Sequence, residues 1–136
     1  MRTIAAFTAC LLTLAAAGCG DSTTSPSTST PTSPVTETFI SVLAYRGSTS
    51  RAFVVSTAGT IKVTLATLGN GTATAGLAIG LPATSAPCSP ALSLVTGPSG
   101  DPQIVTSADA GTYCVQVFDN GSLTADTPFT LTVEHP

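Results

Sequence analysis

The chain has 136 residues, of which four are Lys or Arg and seven are Asp or Glu, giving a net charge of −3. Charged residues make up 8% of it, against about 25% in ordinary globular proteins, so its polar surface must come from Ser, Thr, Asn and backbone groups. So few basic residues cannot neutralise a run of phosphates, which excludes nucleic acid as a partner, and there is no polybasic stretch for an anionic membrane surface.

Residues 1–18 have the layout of a secretory signal: Arg2, an apolar stretch from Ile4 to Ala17, and the small pair Ala17-Gly18. The stretch is shorter than the roughly 20 residues a spanning helix needs. Cys19 follows, and the chain then turns polar in Gly20-Asp21-Ser22-Thr23-Thr24. The tetrapeptide Ala16-Ala17-Gly18-Cys19 resembles the lipobox of bacterial lipoproteins, with Ala16 where Leu is usual. That resemblance implies that Cys19 is lipidated, becomes the mature N-terminus and ties the chain to a membrane. A single acyl chain anchors only marginally, but lipoproteins of this kind carry two or three. The alternative is a signal peptide cut without lipidation, which leaves Cys19 an ordinary thiol. Gly20 stands where Asp would signal inner-membrane retention in some bacteria. This favours the outer membrane, facing the periplasm or the cell surface.

Residues 19–36 are almost wholly Ser, Thr and Pro after the cysteine, with Pro26, Pro31 and Pro34 spaced through them. Such a segment cannot bury enough apolar surface to offset its ordering entropy. It reads as a disordered tether, spanning about 25 Å as coil and about 50 Å as polyproline II.

From residue 37 to 136 short alternating runs are punctuated by Gly, Pro and Asn. Phe53 and Val55 alternate with Val54 and Ser56, and Ile61, Val63 and Leu65 with Lys62, Thr64 and Ala66. Leu77 and Ile79 alternate with Ala78 and Gly80, Tyr113, Val115 and Val117 with Cys114, Gln116 and Phe118, and Phe129, Leu131 and Val133 with Thr130, Thr132 and Glu134. Period-two alternation with turn residues at intervals of about 8–12 is the pattern of an antiparallel sandwich or barrel. Eight strands are predicted, over 37–45, 51–57, 59–68, 73–80, 91–96, 102–107, 111–119 and 126–134. Lys62 and the prolines are the residues available to guard exposed sheet edges against pairing.

Cys10 departs with the signal and Cys19 takes the lipid, which leaves Cys88 and Cys114. Two cysteines in an oxidising compartment imply one disulfide, pinning the Pro- and Ser-rich stretch near Cys88 onto a well-formed strand. Closing that loop contributes roughly 3–4 kcal/mol.

The run Gly111-Thr-Tyr-Cys-Val-Gln-Val-Phe-Asp-Asn-Gly-Ser-Leu-Thr, the ending Pro128-Phe-Thr-Leu-Thr-Val-Glu-His-Pro136 and the stretch Arg51-Ala-Phe-Val-Val-Ser-Thr-Ala-Gly-Thr-Ile-Lys-Val-Thr-Leu resemble the bacterial pre-peptidase C-terminal (PPC) domain. The resemblance implies an all-β, jelly-roll-like β-sandwich, appended elsewhere to secreted enzymes as an accessory module. In this sequence it is expected to stand as the accessory module without an enzyme attached.

Catalytic readings find little support. The lone histidine, His135, sits beside the C-terminus, where a fixed general-base geometry is hard to maintain, and no Gly-x-Ser-x-Gly elbow accompanies it. No cofactor is implied. Calcium is the one candidate ion, with Asp101, Asp109, Asp119, Asn120 and Asp126 as oxygen donors in loops, although Ca²⁺ takes six to eight oxygens and Asp119-Asn120-Gly121 also suits a hairpin turn. Tyr113 and the phenylalanines alternate as core residues do. Tyr45, beside Arg46 and Gly47 at a predicted turn, is the one ring placed for a ligand such as a glycan. The expected function is a non-catalytic, membrane-anchored envelope module with a structural or protein-interaction role, the alternative being a carbohydrate- or calcium-binding accessory.

Overall fold

Eight strands form in the order the alternation predicts: β1 (Val35–Leu43), β2 (Ser48–Val55), β3 (Gly59–Leu68), β4 (Ala75–Leu81), β5 (Ser89–Thr96), β6 (Ile104–Ala108), β7 (Gly111–Phe118) and β8 (Thr127–His135). They belong to a computed structural model that describes residues 33–136. Cys19, the expected signal and the expected tether up to residue 32 lie outside the described residues. All described strands pair antiparallel, in two four-stranded sheets of order β1-β8-β3-β6 and β2-β7-β4-β5. Every connection but β4–β5 crosses between the sheets, the wiring of a jelly roll.

The alternation explains why the two sheets stack. Phe53 is 3% exposed and Val54 beside it 60%, as a pleated strand with one face inward requires. The inward positions Phe53, Val55, Ile61, Val63, Leu65, Leu77, Ile79, Val115, Val117, Phe129, Leu131 and Val133 fill the space between the sheets. Each full burial of such a side chain contributes about 1.5–3 kcal/mol.

Two departures from strict alternation have local causes. The register of β3 against β8 shifts between Leu65 and Thr67, so a bulge resets the phase and Leu68 also turns inward. Strand β4 is buried on both faces up to Gly80. A side chain on Gly76 would strike the Phe118 ring, and one on Gly80 would strike the Ser89 backbone. Glycine at 80 thus lets the chain entering β5 pass over the sheet, which brings Cys88 within bonding distance of Cys114, with Cα atoms 5.6 Å apart.

The predicted disulfide is present. Of the residues available to guard an edge, Lys62 does not do so: β3 is an interior strand, and Lys62 pairs across the sheet with Glu134 on β8 at 2.6 Å. The edges are β1, β6, β2 and β5, with Pro90 on β5 and Arg51 on β2. Where β6 runs out, the Gln103 side chain continues its ladder. Its Oε1 accepts from the Leu65 N–H at 2.8 Å, and its Nε2 donates to the Leu65 and Gly97 carbonyls at 3.3 Å.

The strand directions sort the loops. The β1–β2, β3–β4, β5–β6 and β7–β8 connections gather at one end, since Leu43 pairs with Thr127, Leu68 with Phe129 and Ala75 with Thr96. Val35 pairs with His135 at the other end, beside the β2–β3, β4–β5 and β6–β7 connections.

Replacing Cys88 and Cys114 with Ala is expected to cost about 3–4 kcal/mol and to lower the melting temperature by roughly 15–25 °C, measured by calorimetry. Gln103→Ala, which leaves the buried Leu65 N–H without a partner, should cost about 1–3 kcal/mol in denaturant unfolding.

Candidate functional site

The loop end is organised by the β7–β8 connection, residues 119–126. On one side it holds the β1–β2 turn. Gly47 donates its N–H to the Ala44 carbonyl at 2.8 Å, closing a four-residue turn. Arg46 in that turn adopts φ 55°, the only non-glycine positive φ among the described residues. Turns of this shape normally place Gly or Asn there, and Arg in the left-handed region costs about 1–2 kcal/mol.

The strain is offset by two carboxylates and a main-chain bond. Arg46 N–H donates to Asp119 Oδ2 at 2.8 Å, Tyr45 N–H donates to Asp126 Oδ1 at 2.8 Å, and Asp119 N–H donates to the Gly47 carbonyl at 2.9 Å. Tyr45 is 45% exposed, and the Arg46 guanidinium lies 5.0 Å from its ring centroid, close enough for a cation–π contact.

Asp119 does a second job with its other oxygen. Oδ1 accepts from Gly121 N–H at 2.8 Å and from Leu123 N–H at 3.2 Å, turning the chain at Asn120-Gly121. These donors, Arg46 first among them, hold the Asp119 carboxyl below its ordinary range against a smaller opposing effect of desolvation.

On its other side the same loop holds the β3–β4 connection. Ser122 Oγ donates to the Thr74 carbonyl and accepts from the Thr74 N–H at 3.3 Å, and Asn120 Nδ2 donates to Thr74 Oγ1 at 3.3 Å. The β3–β4 loop closes on itself through Asn70, whose Oδ1 accepts from Thr72 N–H at 3.2 Å and Thr72 Oγ1 at 2.8 Å. Gly69 and Gly71 flank Asn70 at φ 52° and 85°, a backbone only glycine takes freely. An open cleft of about 490 Å³ lies between the two loops, lined by Asn70, Thr72, Thr74, Ser122, Thr124, Asp126, Thr127 and apolar atoms of Ala73, Leu123 and Pro128.

The sequence-predicted site residues are thus partly united. Tyr45, Asp119, Asn120 and Asp126 meet at one end of the sandwich, held together by the bonds above. Asp101 lies in the β5–β6 loop at the same end, where its N–H donates to Ser99 Oγ, but strand order places the β3–β4 loop between it and Asp119. Asp109 is at the opposite end, its carbonyl accepting from the Tyr113 hydroxyl at 3.0 Å. Among the described residues no three His, Cys, Asp or Glu side chains converge as a metal site. Tyr113 packs against the core, as its alternation implied.

His135 corrects one expectation. Far from being loosely placed, it is 3% exposed, with its ring centroid 5.3 Å from that of Phe53. Its Nε2 lies 3.1 Å from Glu37 Oε1 and its Nδ1 3.1 Å from the Pro136 main-chain oxygen. Both ring nitrogens therefore face oxygens of the protein itself, at the end away from the cleft.

Sequence reasoning missed Asn70, Thr72, Ser122 and Thr124. The signal was the Gly69-Asn70-Gly71 turn, which marks a loop but not which loop it faces. No protein-family model matches the chain, and no curated protein matches it in sequence.

The Asp119 carboxyl titrates below its ordinary range, so its stabilising effect is complete above about pH 4 and is lost as the pH falls through the depressed value. Protection factors at the Arg46 and Leu123 amides, taken relative to intrinsic exchange at each pH, are expected to fall on acidification through that range. Asp119→Ala should show low protection at both amides already at neutral pH.

Proposed function

We propose that the chain is an exported, lipid-anchored β-sandwich lipoprotein of the bacterial cell envelope. It acts without catalysis, presenting its loop end to an envelope partner, and its sandwich is a PPC-like accessory module. The observation that carries this reading is the polarity of the domain. Strand β1 enters at one end, and the Tyr45–Arg46 turn and the polar cleft lie at the other. A chain tethered through Cys19 and a Ser/Thr/Pro spacer would hold that loop end away from the membrane. The Cys88–Cys114 disulfide suits an oxidising compartment. A non-catalytic role is supported by the burial of His135, the one imidazole in the sequence, with both nitrogens already engaged.

Mass spectrometry of the full chain expressed in a bacterium tests the anchor. The expected mature form begins at a diacylated or triacylated Cys19 and fractionates with membranes, and Cys19→Ser is expected to abolish acylation. An unmodified Cys19 thiol, or an N-terminus elsewhere, would overturn the anchored reading.

A further inference from the structure

We propose that the cleft between the β3–β4 and β7–β8 loops is a binding site for a neutral saccharide. Its volume of about 490 Å³ falls within the roughly 300–1,000 Å³ typical of small-molecule sites. Its polar lining consists of hydroxyls, one amide and one carboxylate, with no cation. A ligand rich in hydroxyls meets such a wall as both donor and acceptor, whereas an apolar ligand would leave these groups desolvated without partners. An acidic sugar would meet the Asp126 carboxylate on a chain of net charge −3.

The internal bonds leave a specific set of groups to the ligand. Asn70 spends its oxygen on Thr72, and its Nδ2 has no acceptor among the described residues. Asp126 spends Oδ1 on the Tyr45 N–H, which leaves Oδ2 as an acceptor. The Thr124 hydroxyl has no partner among the described residues. An amide donor, a carboxylate acceptor and a hydroxyl are the complement of neighbouring sugar hydroxyls. The bonds that use up half of Asn70 and Asp126 also fix their side chains, so little rotamer freedom remains to be lost on binding. Through Asp126, which accepts from the Tyr45 N–H, the cleft is joined to the strained turn, where backbone held in a sparsely populated region points to function.

This inference goes beyond the anchored-module reading and does not depend on the anchor. The full chain is applied to an array of neutral and acidic glycans, and hits are followed by NMR titration. At least one neutral oligosaccharide is expected to bind, with amide shifts centred on Asn70, Thr124 and Asp126. Asp126→Asn keeps an oxygen for the Tyr45 N–H but presents an amide donor where Oδ2 accepted, and it should weaken binding at least tenfold while the dispersion of the amide NMR spectrum shows the fold intact. Arg51→Ala, away from the cleft, should bind as the parent does. Binding to no neutral glycan, a preference for acidic ones, shifts confined to the sheet faces, loss of binding with EDTA, or full affinity in both Asp126→Asn and Asn70→Ala would each overturn the proposal.

Discussion

The placement of β8 between β1 and β3 is the constraint on which the rest of the molecule depends. Its inward residues Phe129, Leu131 and Val133 pack at the centre of the core, and its register against both neighbours sets which faces turn inward. The same placement forces the β7–β8 connection to emerge between the β1–β2 and β3–β4 loops. A loop in that position can bond to both, and Asp119, Asn120, Ser122 and Asp126 do so. The geometry of the loop end is therefore inherited from sheet topology and then locked by side chains.

The near absence of charge shapes how this lock is made. The single Lys–Glu pair among the described residues, Lys62–Glu134, is partly exposed, and such pairs contribute about 0–1 kcal/mol. What holds the domain is apolar packing, the ladders, one covalent cross-link and hydrogen bonds from a few polar side chains to backbone N–H groups. The carboxylates at the loop end act as acceptors for main-chain donors, a use in which charge strengthens each bond. An ammonium or guanidinium partner is not needed for that.

Most of the fold was legible in the sequence because a two-sheet sandwich writes its inside and outside into successive residues. All eight strands fall close to their predicted ranges, and β3 matches at both ends. The exceptions are physical. Alternation could not show the bulge after Leu65, since a bulge changes phase without changing residue type. It could not show Gln103 standing in for a strand, because the bond joins residues 38 apart. Nor does alternation distinguish interior from edge strands, so the interior position of Lys62 is not legible in it. At the loop end the residue types were readable but their use was not. Asp119 and Asp126 look like oxygen donors for an ion until the N–H groups of Arg46 and Tyr45, 73 and 81 residues away, are seen to bond to them.

The parity of the strand count has a consequence of its own. With eight strands running alternately up and down, entry at Val35 and exit at His135 fall side by side at one pole. Any polypeptide joined at either terminus would therefore extend from that pole. The domain is wired like a plug with both leads on one side, able to be spliced between other modules or hung from a lead while its contact face stays clear.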